Sequence, residues 1–249
     1  MKMLNLNIGE EPPFATREAL NRLRINFGFC GSQYKLVTVT SSFENEGKSF
    51  ISTNLWKLLG EAGYKVCLVD ADLRKTVMQS KLQMQVSEDK FPSLPHYLSG
   101  QAELNDVIYG TNYTNCFIVP CSITVANPAL LLQNDRFVQM LEFLKGKFDY
   151  VLIDTPPIGS VSDGDLIASH CDGAVLAVRS GKIPKDAVAA SLKQLERDGC
   201  KLMGVVLTRA KVSTGKYGYG KYGKYGYGYG YGYGYGYGYG YGEKKENKK

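Results

Sequence analysis

The sequence predicts an α/β domain, a mostly parallel sheet with helices on both faces, followed by a C-terminal segment that builds no core. Three observations predict it. Short continuous apolar runs alternate with amphipathic helical patterns, as strands buried on both faces do. Several of those runs end in a polar or acidic residue, at the strand end where open α/β sheets place their ligands. Apolar periodicity stops after Val212.

The elements follow in order. Residues 16–30 (TREALNRLRINFGFC) predict a helix, with Thr16 as N-cap and Leu20, Leu23 and Phe27 recurring at three- and four-residue spacing. Residues 35–40 (KLVTVT) form a β-branched strand, then a polar loop and a helix over 48–62. Residues 65–69 (KVCLV) are a second strand, ending in Asp70. The polar, mixed stretch 76–115 predicts small helices and loops. Strand 116–120 (CFIVP), helix 134–145 and strand 150–153 (YVLI), ending in Asp154, come next. Strands 173–178 (GAVLAV) and 204–207 (GVVL) flank a helix over 184–197. The expected organisation is a folded domain over 1–212 and a separate segment over 213–249.

Charge and composition exclude several classes. The 249 residues carry 30 Lys and Arg against 24 Asp and Glu, for a net +6. Seven lysines and two glutamates after Val212 make that segment +5, which leaves +1 for the body. A body so near neutrality has no basic field for nucleic acid. No run of about 18 apolar residues predicts a transmembrane helix, and the first 13 residues lack the order of a secretory signal. Six cysteines without a CxxC pair read as buried free thiols of a reducing cytosol, and His96 and His170 in unrelated contexts do not suggest zinc. The expected location is cytoplasmic.

The segment 40–49 (TSSFENEGKS) lies between a predicted strand and a predicted helix, the setting of a phosphate-binding loop. There, backbone N–H groups and a helix N-terminus face phosphates, a lysine reaches the outer phosphates, and a Ser or Thr hydroxyl ligates Mg²⁺. Gly47, Lys48 and Ser49 match the end of GxxxxGK[ST], while Ser42 stands at its first glycine. Asp70 and Asp72, two apart beyond a buried strand, would face one side if the chain stayed extended. Asp154 ends another strand, in the manner of a carboxylate that holds Mg²⁺ through water. Strand, loop and carboxylates in this order predict a P-loop NTPase-like fold that binds nucleotide.

With DxDLR at 70–74, IDTPP at 153–157, Ser162-Asp163, NPxxLL at 127–132 and a C-terminal tyrosine cluster, the chain resembles the bacterial tyrosine kinases of capsule and exopolysaccharide systems. The resemblance covers nearly the whole chain and implies an ATP-dependent protein-tyrosine kinase with ATP and Mg²⁺ as cofactors. It implies nucleotide binding along Asn45, Glu46, Gly47, Lys48, Ser49 and Phe50, with Lys48 on the phosphates. Ser49 is implied as metal ligand, and Asp72 and Asp154 as the carboxylates that position the metal's waters. Asp70 is implied as the acceptor of the proton from an incoming tyrosine. An aspartate near its ordinary pKa of about 4 is a weak base for a phenol at about 10. In a loose phosphoryl transfer, positioning and charge neutralisation therefore carry more weight.

The resemblance also implies partners: a transmembrane activator on a separate chain, and a ring-shaped homo-oligomer built through the early helix and tail exchange. That places the chain at the inner face of the membrane. The family's ExxRxxR helix here keeps Glu18, Arg22 and Arg24, with Asn21 in place of the middle arginine. Two further departures are Glu44-Asn45 where the family loop reads Pro-Gly, and Thr76 where a proline commonly follows DxDLR. Asparagine tolerates positive φ best among residues other than glycine, so the loop is expected to form. The Thr76 change is expected to be minor.

Residues 216–242 hold 12 Tyr, 12 Gly and 3 Lys and are expected to be disordered. Its tyrosines, Tyr217, Tyr219, Tyr222, Tyr225, Tyr227, Tyr229, Tyr231, Tyr233, Tyr235, Tyr237, Tyr239 and Tyr241, are the expected phosphoacceptors. The 29 residues from Val212 to Tyr241 reach roughly 100 Å when extended, enough to enter a neighbour's site. Full phosphorylation would add roughly −18 to −24. Two other readings stand beside the kinase. One is a ParA/MinD-like ATPase switch, whose signature lysine would fall where this chain has Phe43; the other is a catalytically inactive nucleotide-binding module.

Overall fold

In the computed structural model, residues 2–84 and 91–210 are described. The expected boundary at 212/213 and all twelve tail tyrosines lie outside the described residues. The chain runs β1 (Met3–Leu4), α1 (Phe14–Phe29), β2 (Leu36–Ser41), α2 (Lys48–Glu61), β3 (Val66–Asp70) and α3 (Met78–Lys81). It continues α4 (Leu94–Leu98), α5 (Leu104–Val107), β4 (Tyr109–Thr111), β5 (Cys116–Val119), α6 (Pro128–Leu132) and α7 (Asp135–Lys147). The last elements are β6 (Tyr150–Asp154), α8 (Asp163–Ala168), β7 (Gly173–Arg179), α9 (Lys185–Arg197) and β8 (Lys201–Thr208).

The strands form one sheet in the order β1-β4-β5-β3-β6-β2-β7-β8. Every neighbouring pair is parallel except β4 with β5. Alternate residues of the central strands feed two separate cores, as a sheet covered on both faces requires. Val66 and Leu68 of β3 pack with Leu20 and Phe27 of α1 and with Leu55, Trp56 and Leu59 of α2. Cys67 and Val69 turn the other way, toward Phe137, Met140 and Leu144 of α7, Ile167 of α8 and Leu195 of α9. Trp56 is fully buried, and its indole N–H donates to the Phe117 carbonyl at 2.9 Å.

This layering positions the site. β2 lies between β6 and β7, and its outgoing helix α2 covers one face. The connection from β6 passes through α8 on the other face and returns as β7 on the far side of β2. The carboxyl ends of β2 and β6 are therefore a switch point of the winding, where such sheets open a crevice.

Four features differ from the sequence expectations. α1 begins at Phe14, so Thr16 lies in its first turn and not at the N-cap; its N–H donates to the Pro13 carbonyl at 2.9 Å, and Pro13 is the capping position. β1 and β4 are too short, at two and three residues, to leave a periodic signal. The short helices α6 and α8 are likewise below the length at which 3.6-residue periodicity shows. β8 starts earlier than expected and forms the sheet edge, with Leu202, Val205 and Leu207 exposed. All six cysteines are free thiols, and all but Cys30 are buried.

Candidate functional site

The site starts from the loop between β2 and α2. Two of its residues adopt positive φ: Asn45 at 61° and Gly47 at 97°. Asparagine thus occupies the left-handed conformation that the sequence assigned to it. Gly47 is also closely approached, since a Cβ there would lie 3.1 Å from Thr208 Cγ2. Its carbonyl accepts the first helical hydrogen bond, from Ile51 N–H at 3.0 Å, so Lys48 and Ser49 open α2 with their N–H groups free of the helix ladder.

Glu46 anchors the loop from beneath. Its side chain is fully buried, and its two carboxylate oxygens accept from the backbone N–H groups of Phe43 (2.5 Å) and Arg179 (3.0 Å). Its own carbonyl accepts from Thr208 Oγ1 at 2.6 Å. The loop is thereby tied to the ends of β7 and β8. Ser42, at the first-glycine position, is accommodated by a buried hydroxyl pair with Ser191 of α9, 2.9 Å apart. On its other side the loop meets the 153–157 segment: Thr40 Oγ1 donates to the Pro156 carbonyl at 3.1 Å, and Ile158 N–H to the Ser41 carbonyl at 3.0 Å.

Into the cleft above this loop project Glu44, Asn45, Gly47, Lys48, Ser49 and Asp72. Glu46 and Phe50, expected in the same binding stretch, do not line it; the first is turned inward, and Phe50 is exposed on the first turn of α2. Lys75, Val77, Lys81 and Pro157 line it as well, and none of the four was an expected site residue. Lys75 pairs with Glu44 at 2.8 Å, which neutralises the negative charge that Glu44 brings near the phosphate loop. That pairing holds the Glu44 carboxyl below its ordinary range. Lys81 lies on α3, in the stretch whose mixed composition carried no periodic signal. Lys75, adjoining the DLR motif, and Pro157, the last residue of IDTPP, had cues in the sequence.

The three aspartates occupy three different environments. Asp70 and Asp154 are register partners at the ends of β3 and β6, and both are buried. Burial pushes the Asp154 carboxyl up to about 6, opposed by the Lys48 charge and a hydrogen bond with Ser49. Its Oδ1 is buried without a hydrogen-bond partner. Burial also holds the Asp70 carboxyl well above the usual carboxylate range, opposed by a hydrogen bond from Thr76 and reinforced by the Asp154 and Asp72 charges. Asp72 is half-buried and raised by burial, with the Lys75 N–H donating to its Oδ1 at 3.1 Å and Lys48 drawing it back down. β3 ends at Asp70, and Ala71 and Leu73 join Cys67 and Val69 in one core, so the two-residue alternation runs on past the strand end.

Arg74 and Asp163 join the two remaining motif fragments. Nε of Arg74 donates to Asp163 Oδ2 at 2.5 Å and its terminal nitrogen to Oδ1 at 3.0 Å, a two-pronged pair that docks the loop after β3 onto the start of α8. Thr76, where a proline commonly stands, donates its hydroxyl to Asp70 Oδ2 at 2.5 Å. Of the expected oligomerisation residues, Glu18 and Arg22 are exposed four apart on α1. Arg24 is half-buried on a different side of the helix. None of the three lines the cleft.

Comparison with known proteins bears on this geometry. The AAA domain family profile matches residues 36–181, more than half of the chain. The tyrosine-protein kinase CpsD of Streptococcus agalactiae is 42% identical over 210 residues, spanning 84% of this chain and 90% of that protein. Among solved structures, the kinase domain of the Escherichia coli tyrosine kinase ETK superposes with a TM-score of 0.69 at 29% identity, over 78% of this chain and 77% of that one. The septum site-determining protein MinD of Pyrococcus horikoshii, solved with Mg-ADP, superposes with a TM-score of 0.59 at 26% identity, over 70% and 69% of the two chains.

Proposed function

The chain belongs to the bacterial tyrosine-protein kinase family, and on that premise we propose that it phosphorylates the tyrosines of 217–241 on a neighbouring copy, serving capsule or exopolysaccharide synthesis or export. The observation that supports this reading is the gathering of Lys48, Ser49 and Asp72 around one cleft, with the buried carboxylates of Asp70 and Asp154 in register at the ends of β3 and β6. ATP phosphates would lie on the N–H groups from Asn45 to Ser49, with the Lys48 ammonium on the outer phosphates.

The residues fit Mg²⁺. Ser49, Asp72 and Asp154 are hard oxygen donors, and the unpartnered buried Oδ1 of Asp154 is an acceptor that a cation or its water would satisfy. Bound with the nucleotide, Mg²⁺ would neutralise charge on the β- and γ-phosphate oxygens. The chain's own residues would do the remainder. Lys48 compensates the charge spreading over the transferred group, and the Glu46-anchored loop holds the N–H groups fixed during transfer. As the phenolic oxygen bonds to the γ-phosphorus and the bond to the β-phosphate oxygen breaks, the phenolic proton passes to Asp70 and ADP leaves. Burial of Asp70 narrows the gap between its pKa and that of a phenol, which makes it a more competent acceptor than a solvated aspartate.

The tail's length allows delivery in trans, and its initial positive charge suits an approach to bound phosphates. A transmembrane activator on another chain and a ring of copies through α1 complete the proposal, with the kinase held at the inner face of the membrane. Among the described residues, no helix is long and apolar enough to cross a membrane. The test mixes wild-type protein with an affinity-tagged Lys48→Met copy in ATP and Mg²⁺. Phosphotyrosine on the tagged tail supports transfer in trans. Phosphate release without labelling would instead assign an ATPase switch, and neither would assign an inactive module.

A further inference from the structure

Two like charges and a thiol surround Asp70, and the groups that favour its carboxylate are the Thr76 hydroxyl and, more weakly, the Asp72 backbone N–H. Asp154 faces it from β6, Asp72 follows it on its own loop, and the Cys121 thiol approaches from the segment after β5. Against these, the Thr76 hydroxyl lies 2.5 Å from Asp70 Oδ2 and 3.4 Å from the Cys121 carbonyl. The hydroxyl has one proton to give, and the Asp70 contact is the shorter of the two. Thr76 itself is carried on the loop that Arg74 pins to Asp163, so the donor is fixed in place by a two-pronged ion pair two residues away. A carboxylate rotates freely about its last bond unless its oxygens are held, and Thr76 holds one of them.

We propose that Thr76 is a positioning residue for phosphoryl transfer: its hydroxyl holds the buried carboxylate of Asp70 in the orientation that receives the incoming tyrosine. The inference rests on the reading of Asp70 as the tyrosine-facing group. It adds a residue whose role DxDLR does not include. It also predicts a separation of effects, because Thr76 does not line the phosphate cleft. Loss of the hydroxyl lowers the turnover of transfer and leaves nucleotide binding alone. Misplacement of a reacting group by about 1 Å costs up to roughly 100-fold in rate, so a tenfold or greater loss is expected.

The test measures initial autophosphorylation rates of the full chain against ATP concentration for wild type, Thr76→Val, Thr76→Ser and Asp70→Asn, with thermal melting to verify folding. Thr76→Ala replaces Thr76→Val if the latter fails to fold. The expected result is at least a tenfold fall in kcat for Thr76→Val, a KM for ATP within twofold of wild type, and a Thr76→Ser rate within threefold of wild type. A wild-type rate for Thr76→Val beside an inactive Asp70→Asn overturns the role of Thr76 alone. Equal losses in Thr76→Val and Thr76→Ser overturn it too, since the hydroxyl would then be irrelevant. A rise in KM with kcat unchanged likewise contradicts it. A wild-type rate for Asp70→Asn overturns the underlying reading of Asp70.

Discussion

Glu46 is the place where the structure makes the firmest quantitative claim about the phosphate loop. Its carboxylate is fully buried and accepts from two different backbone donors, Phe43 N–H at 2.5 Å and Arg179 N–H at 3.0 Å, one on each oxygen. Glu46→Ala removes both acceptors and strands two amide donors. A hydrogen bond to a charged group contributes about 1.5–3 kcal/mol, and an unsatisfied buried donor costs about 1–3 kcal/mol. Two such losses, partly relieved by water entering the space, give about 3–5 kcal/mol of destabilisation. At an m-value of about 2 kcal/mol/M, that moves the urea midpoint down by roughly 2 M. Glu46→Gln is the sharper variant. An amide offers one acceptor oxygen and turns its NH₂ toward the other backbone donor, so about half of the loss is expected although size is preserved. Equilibrium urea denaturation followed by far-UV circular dichroism measures both. A Glu46→Ala protein within about 1 kcal/mol of wild type, or a Glu46→Gln protein equal to it, would refute the claim that this carboxylate anchors the loop.

Three further outcomes are expected. Asn45→Ala should destabilise the protein by about 1 kcal/mol and weaken ATP binding, while Asn45→Gly should not, because φ at this position is 61°; paired denaturation curves check it. Arg74→Ala should cost about 3 kcal/mol by leaving the Asp163 carboxylate, 1% exposed, without its partner, and the double variant with Asp163→Asn should recover part of the loss in a thermodynamic cycle. Away from the cleft, Asp165 is pushed up to about 6 by burial and by the facing Asp198 charge, with Arg197 opposing. A folded-state pKa above the unfolded value of 3.8 means that the folded protein binds the extra proton, so this group favours folding below about pH 4 and that contribution is lost as pH rises through about 6. Asp165→Asn should therefore raise the melting temperature at pH 7–8 and flatten its fall between pH 4 and 6.

The sequence was legible where pattern and chemistry coincide. The central strands β2, β3, β6 and β7 read clearly because both of their faces are buried, which makes them continuous apolar runs. The aspartates that end β3 and β6 stood out against that background. The positive φ of Asn45 was legible from residue type alone. What escaped was set by tertiary contact. β1 and β4 are held in place by neighbours and not by any pattern of their own. The burial of Asp70 against the half-burial of Asp72 depends on the segments packed around them, which spacing does not reveal. The inward turn of Glu46 depends on an amide 133 positions away, at Arg179. Thr76 looked like a simple replacement of proline because its contact with Asp70 exists only in the folded loop. Lys81 reaches the cleft from a four-residue helix in a stretch with no periodic signal.

Phosphosite mapping of the full chain after incubation with ATP and Mg²⁺, beside Lys48→Met, tests the central claim most directly. Phosphotyrosine is expected within 217–241 of the wild-type protein, and none in the variant incubated alone. Phosphate release with an unmodified tail, or phosphotyrosine confined to the body at positions such as Tyr34 or Tyr64, would contradict it.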